Sequence, residues 1–304
     1  MKVHIIIDFM HVYYKYFFML RDGRIKRLSA AMEVNGVMME KDTSLIYYPL
    51  RDIEEVRRKY EAAGHEVTMS ICFDMPSTRS DDESEYKSTR VSRLSDDDFL
   101  NINTIKELLE KAGHNVYRYE GYEADDIVNY LVRAYSNDFD YNIIYTNDKD
   151  LLVNIQDKVG VMRHKTGKGY EAVDKNNYTS YLESEFGVFI PYNALGLFLA
   201  SAGDSADHIK GITKFGPKAF SKLITKVAAK YPIDWTECGD YTKLEQVVLK
   251  CEEFLKPEQF EELKKSFALV ANLELFDEVP KPDKISTAIQ RKEAYEPHQM
   301  VHLI

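Results

Sequence analysis

The chain is poor in the residues that mark several function classes. Its three cysteines, Cys72, Cys238 and Cys251, fall in no metal-ligand spacing, and their number is odd. That removes a disulfide framework and fits a reducing cytoplasm. Its eight histidines form no H-E-x-x-H or similar pair, which argues against a zinc enzyme. The longest apolar runs, such as Val3–Ile7, are far too short to span a bilayer, so no membrane association is expected. The start, Met1-Lys2-Val3-His4, enters a strand-like run without the layout of a signal peptide. No internal repeat is present. Positive charge is also short: the net charge is −10, which at first argues against a nucleic-acid partner.

What is present suffices for a packed core without staples: 304 residues, 44% of them hydrophobic, make one large domain or a domain with a smaller partner. Val3–Asp8, Val67–Asp74, Asn115–Tyr119 and Tyr141–Asn147 read as short strands. Ser44–Ala63, with Gly64 behind it, Asn101–Ala112, with Gly113 behind it, and Glu123–Tyr135 read as helices. The aromatic stretch Tyr13-Tyr14-Lys15-Tyr16-Phe17-Phe18 reads as a helix start. Strand alternating with helix predicts a mostly parallel, helix-covered α/β sheet. Residues 75–98 break the rhythm with Ser, Thr, Asp and Arg, as functional loops do. Beyond about residue 173 the pattern turns helical. The expected division is therefore 1–172 and 173–304, the second part ending in a wrapping tail with Pro280, Pro282 and Pro297.

Aspartates gather where strands end. Asp8, Asp74 and Asp148 close three expected strands, and strand C-termini of an open parallel sheet share one crevice. Asp150 follows at i+2. Glu123, Asp125 and Asp126 open a helix, whose N-terminus favours negative charge. Asp204 and Asp207 lie one turn apart. Taken singly, an Asp at a strand end is more often an N-cap or turn former. All nine together at element ends suggest chemistry. Clustered carboxylates repel one another, and hard divalent cations with oxygen ligands relieve that repulsion. Two such cations roughly 3.5–4 Å apart clamp the attacking and leaving oxygens of a phosphodiester displacement.

These segments carry a resemblance. Ile5-Ile6-Ile7-Asp8 with Lys15 beyond it is one. Phe73-Asp74 is another, followed by Arg79 and by Glu85-Tyr86-Lys87-Ser88-Thr89-Arg90. Gly121-Tyr122-Glu123-Ala124-Asp125-Asp126-Ile127, Thr146-Asn147-Asp148-Lys149-Asp150-Leu151 and Gly203-Asp204-Ser205-Ala206-Asp207 complete the series. In order and spacing, over roughly residues 3–230, they resemble the 5′-nuclease family of bacteriophage 5′–3′ exonucleases and RNase H-type nucleases, the polymerase I 5′-nuclease domain and flap endonucleases.

The resemblance implies a PIN-like nuclease core with a helical arch at about 75–98, and a smaller helical lobe containing a helix–three-turn–helix at about 203–230. It implies a first metal held by Asp8, Asp74, Glu123 and Asp125. A second would be held by Asp126, Asp148, Asp150, Asp204 and Asp207, in part through water. The cofactors would be two Mg²⁺ or Mn²⁺. Lys87 and Arg90 would act at the reacting phosphate, and Lys15 and Arg79 would contact nucleic acid. His208 to Ala219 resembles the family's hairpin, which grips the duplex backbone and whose carbonyls usually hold K⁺. The usual Asn-x-Pro-Gly reads His208-Ile209-Lys210-Gly211 here and one hairpin glycine is Lys214, so K⁺ binding is left open.

Charge supports the duplex-binding lobe independently. Lysines stand at 210, 214, 218, 222, 226 and 230, and no acid lies between Asp207 and Asp234. Residues four apart share a helix face. Lys218, Lys222 and Lys226 therefore form a basic stripe, continuing Lys210 and Lys214, with Phe220, Leu223, Ile224 and Val227 on the buried side. A solubilising face would normally intersperse Glu; this stripe suits a phosphate backbone. Taking the nine site carboxylates out of the net charge of −10 leaves −1, so much of the acidity is the candidate site. Tyr13, Tyr14 and Tyr16 read as packing residues before base-stacking ones.

The expected function is thus a structure-specific 5′-nuclease, a 5′–3′ exonuclease or flap endonuclease with RNase H activity in view. It would cut 5′ flap, nicked or forked DNA and RNA/DNA hybrid in primer removal during replication or repair. With no polymerase region following, a stand-alone, monomeric enzyme of a bacterial or phage-infected cytoplasm is expected. The end of the tail, Gln299 to Ile304, loosely resembles peptides that dock on a sliding clamp or other replication protein, such as a single-strand-binding protein. The rival readings are a PIN-type ribonuclease, to which arch and lysine lobe would be extra, and a non-catalytic structure-specific DNA binder. An aspartyl phosphatase would need Asp-x-Asp after the first strand, which Asp8-Phe9-Met10 lacks.

Overall fold

The computed structural model describes residues 1–34, 37–75, 94–165, 169–205, 209–239 and 241–270. These form two compact units, one of the described residues up to Asn147 and one of those from Asp148 on.

In the first unit β1 (Lys2–Asp8) lies between β4 (Glu66–Cys72) and β6 (Tyr141–Tyr145), with β5 (Asn115–Tyr117) outside β4, and all these pairings are parallel. The sequence dictates the central place of β1. Val3, Ile5, Ile6 and Ile7 are buried, as are Val67, Met69 and Ile71 of β4, and strands without an exposed face belong inside a covered parallel sheet. His4 is buried in the same sheet. Its ring bonds to Ser70 Oγ at 2.7 Å and Asn142 Oδ1 at 3.2 Å, and desolvation lowers its pKa to about 3 despite the Asn142 bond.

Helices cover the sheet. α1 (Phe9–Arg21) starts on β1, with Asp8 as its N-cap accepting from the His11 N–H. α2 (Ser44–Ala62) packs on α1 and β4. α3 (Asp96–Lys111) packs on α2 and β5, and α4 (Ala124–Tyr135) packs on β1 and β4. α3 begins earlier than expected and takes the end of the polar stretch assigned to the arch. The cause is a capping box: Ser95 and Asp98 exchange backbone and side-chain bonds, and Asp96, Asp97 and Asp98 fill the first turn. An antiparallel pair not expected from the sequence, β2 (Ser29–Val34) and β3 (Val37–Asp42), joins this unit.

The described residues of the second unit begin with a short 3₁₀ helix (Asp150–Asn154) and an antiparallel pair, β7 (Val159–Lys165) and β8 (Gly169–Val173), and then carry the helices α5 (Tyr178–Phe186), α6 (Leu195–Ala202), α7 (Pro217–Lys230), α8 (Tyr241–Cys251) and α9 (Pro257–Val270). α6 is the core helix, with Leu195, Leu197, Phe198, Leu199 and Ala200 buried, and both α7 and α9 pack on it. Pro217 at the first position of α7 suits a helix start, where its missing N–H costs nothing. Among the described residues no helix is long and apolar enough to cross a membrane.

Candidate metal centre and nucleic-acid interface

The first unit places five of the nine acids at the C-terminal edge of its sheet or at the helix beside it. Asp8 ends β1, and its register partner is Cys72, the last residue of β4. Asp74 stands two residues past that end and is exposed. Each is oriented by a specific donor. Thr146 Oγ1 donates to Asp8 Oδ2 at 2.8 Å, and the Ala124 N–H donates to Asp74 Oδ1 at 2.7 Å. The second bond ties Asp74 to the first turn of α4. There Asp126 accepts the Glu123 N–H at 3.0 Å, and Asp125 accepts the Asp126 N–H at 2.9 Å. Carboxylate oxygens of Glu123, Asp125 and Asp126 all lie within 4.8 Å of one another. The Cys72 thiol registers Asp8 and Asp74 together: burial pushes its pKa well up, and the two carboxylates add to the rise.

Donors of this kind fit a hard divalent cation. All are carboxylate oxygens, they crowd closely enough to repel, and the positive end of α4 and the backbone N–H groups only partly offset that charge. The thiol in register with Asp8, that of Cys72, is wholly buried and held protonated, so it is no soft ligand here.

Asp148, Asp150 and Asp204 belong to the second unit. Asp148 Oδ1 accepts the Asp150 N–H at 2.9 Å, which shapes the turn. Lys149 Nζ lies 2.7 Å from Asp204 Oδ2. Burial pulls the Lys149 pKa down, but Asp204, Asp150 and Asp148 outweigh it and raise the net value. Asp204 is buried, and its backbone exchanges bonds with Ile209 at 2.7 and 2.8 Å. Lys149 and Thr146 are functional neighbours that the sequence does not reveal, although both stand in Thr146-Asn147-Asp148-Lys149-Asp150-Leu151. What they hold lies far off in the chain, and no spacing shows it. Asp207 and His208 lie outside the described residues, as do Arg79, Lys87, Arg90 and the tail from residue 271.

Lys210, Lys214, Lys218, Lys222, Lys226 and Lys230 are all exposed, while Phe220, Leu223, Ile224 and Val227 are buried. α7 thus carries its basic stripe opposite its apolar one. Lys230 pairs with Glu253. Lys214 adopts φ +59°, a left-handed conformation at the position where the family pattern has glycine.

Lys15 is placed differently from an open basic contact. Its ammonium pairs with Asp52 at 2.9 Å, with both side chains largely buried, and links α1 to α2. Tyr13 is buried with its hydroxyl donating to Asp98 at 2.8 Å, and Tyr16 stacks on Tyr48; both pack, as expected.

Residues 3–183 match the family described as 5′-3′ exonuclease, N-terminal resolvase-like domain. The DNA polymerase I of Borreliella burgdorferi is 31% identical over 195 residues, covering 62% of this chain and 19% of that protein. The 5′-3′ exonuclease of Aquifex aeolicus is 31% identical over 160 residues, covering 51% of each chain. The chain therefore aligns with about half the length of that exonuclease and with a smaller share of the polymerase. Among solved structures, the T5 D15 protein co-crystallized with metal ions superposes with a TM-score of 0.55 at 14% identity, covering 89% of this chain and 100% of that one, a likeness of fold. With more than half of its length matched, the chain belongs to the 5′-3′ exonuclease family defined by that N-terminal resolvase-like domain.

Proposed function

We propose that the chain is a divalent-metal-dependent, structure-specific 5′-nuclease that hydrolyses phosphodiester bonds near 5′ ends. The observation that carries this reading is the Glu123–Asp125–Asp126 cluster at the start of α4, with Asp74 bonded to its first turn and Asp8 at the end of the central strand, all inside the stretch that matches the family. Asp8, Asp74, Glu123 and Asp125 would hold one Mg²⁺ or Mn²⁺. Asp126, Asp148, Asp150, Asp204 and Asp207 would hold a second, some of them through water. When bound, such ions supply Lewis-acid stabilisation of the charge that develops on the phosphodiester oxygens and acidify the attacking water.

The chain's own groups do the rest. Thr146 and the Ala124 N–H fix the carboxylates of Asp8 and Asp74 before substrate arrives, which is the preorganisation that electrostatic catalysis needs. Lys87 and Arg90, in the arch proposed at about 75–98, would offset charge at the reacting phosphate. Lys210, Lys214, Lys218, Lys222 and Lys226 would hold the duplex backbone, from a lobe proposed to span 173–304 beside a nuclease domain of 1–172 and to contain a helix–three-turn–helix at about 203–230. The substrates would be 5′ flap, nicked or forked DNA and RNA/DNA hybrids. The enzyme would act as a cytoplasmic monomer, with the tail docking on a clamp or single-strand-binding protein.

Time courses on end-labelled flap, nicked, blunt and RNA-primed duplexes with Mg²⁺ or Mn²⁺ test the proposal. Release from the 5′ side, leaving 5′ phosphates, supports it. Cleavage of plain single-stranded RNA alone would favour a PIN-type ribonuclease instead.

A further inference from the structure

We propose that Glu262 is a positioning residue for duplex binding: it fixes the tip of the loop that carries Lys210 and Lys214. The inference rests on the reading that the lysine-bearing lobe holds nucleic acid.

The base of this loop is fixed by backbone alone. A Cβ on Gly211 would stand 2.4 Å from the Gly203 nitrogen, and one on Gly203 would stand 2.8 Å from the carbonyl oxygens of Ile209 and Lys210. Only glycine permits that approach. The Ile212 N–H then donates to the Ser201 carbonyl of α6 at 2.9 Å. Beyond Ile212 the chain turns through Lys214 at φ +59°, which a side-chain-bearing residue seldom adopts unaided. At the residue between, α9 reaches in. Glu262 accepts the Thr213 N–H at 2.9 Å and the Thr213 hydroxyl at 2.6 Å. Those two bonds hold the Glu262 carboxyl below its usual pKa range. α9 is a firm mount, since Phe260, Leu263 and Phe267 are buried and the helix packs on α6.

Charge alone predicts the opposite role. A carboxylate bonded to Thr213, next in the chain to Lys214, repels phosphate, so its removal should tighten binding. Positioning predicts that removal weakens it. Glu262→Gln separates the two: its amide oxygen can accept the Thr213 N–H while its NH₂ donates to the hydroxyl, so both bonds survive without the charge.

Affinity of the full chain for a labelled flap duplex is measured by anisotropy in Ca²⁺ or EDTA at several salt concentrations. Glu262→Ala should bind about five- to tenfold more weakly, with a salt slope shallower by up to about 2, the share of two phosphate contacts. Glu262→Gln should bind within about twofold of the parent or tighter, and single-turnover cleavage at saturating enzyme should stay level in both. Ala binding as tightly as the parent, or Gln as weakly as Ala, overturns the proposal. Lys218→Ala/Lys222→Ala/Lys226→Ala serves as the separate arm. If that variant keeps full affinity, the duplex-binding reading fails and takes this inference with it. If it loses affinity while Glu262→Ala does not, only the role of Glu262 falls.

Discussion

Replacing Lys218, Lys222 and Lys226 together by alanine strips three charges from the exposed face of α7 and leaves Phe220, Leu223, Ile224 and Val227 on the buried face untouched. Alanine is at least as good a helix former as lysine, so the helix should persist and the melting temperature should barely move. Each phosphate neutralised by a lysine contributes about 0.9 to the slope of log affinity against log salt, so three lost contacts should make the slope shallower by about 2.7. Between about 50 and 200 mM salt, a fourfold rise, the parent should therefore lose about 40-fold more affinity than the variant. Anisotropy titrations of a labelled flap duplex without catalytic metal measure the slope, and quenched-flow cleavage at saturating enzyme measures the chemistry. The single-turnover rate should stay within about threefold, because none of the three lysines is among the proposed acids or phosphate-activating groups. A slope equal to the parent's, with the fold intact, would refute the assignment of this stripe to the backbone.

Three further outcomes are expected. Chelation should abolish cleavage, and Mg²⁺ or Mn²⁺ should restore it and raise the melting temperature by binding only the folded site; full activity in EDTA, or rescue by Zn²⁺ alone, contradicts the metal assignment. Asp148→Asn with Asp150→Asn should lower cleavage by orders of magnitude while metal-free affinity for a flap stays level or tightens, since two charges that repel the backbone are gone; lost binding with an intact fold would break the proposed division of labour. His4, with its folded pKa depressed to about 3, favours the folded state fully above its unfolded value of about 6.5 and loses that contribution as pH falls toward 3. Urea titrations should show up to about 1.4 kcal/mol less stability per pH unit in that window than His4→Gln shows, and parallel profiles for the two would discount the effect.

How much of this was visible in the sequence depended on the range of the interaction concerned. Val3–Asp8 was legible as a strand because its run is apolar on both faces, and the lysine stripe was visible because spacing by four is itself the geometry of a helix face. The capping box at Ser95 and Asp98 is equally local, but it hid in a stretch read as polar loop. β2 and β3 were missed although Asn35-Gly36 stands between two apolar runs, a pair that favours hairpin turns. The contacts that hold the candidate site together were beyond any pattern. Thr146 reaches Asp8 across 138 positions, Ala124 reaches Asp74 across 50, and Glu262 reaches Thr213 across 49. Such partners are set by strand order and helix packing, which no local spacing encodes.

The carboxylates make a sharper point about weighing a capping role against a functional one. From sequence, an aspartate at a strand end reads either as a helix N-cap or as a metal ligand, and each reading lowers the other. In the structure Asp8 is the N-cap of α1, and Asp126 accepts the N–H of the residue before α4, yet both stand among the proposed ligand acids. The two roles draw on one cause. A helix N-terminus concentrates unsatisfied N–H groups and positive potential, which stabilises a carboxylate there with or without a cation. A cluster built on such termini tolerates its own repulsion, because backbone N–H groups hold one oxygen each of Asp8, Asp74, Asp125 and Asp126. Capping is therefore part of how these acids are aimed, and a capping role, Asp8's first among them, does not count against a role as ligand.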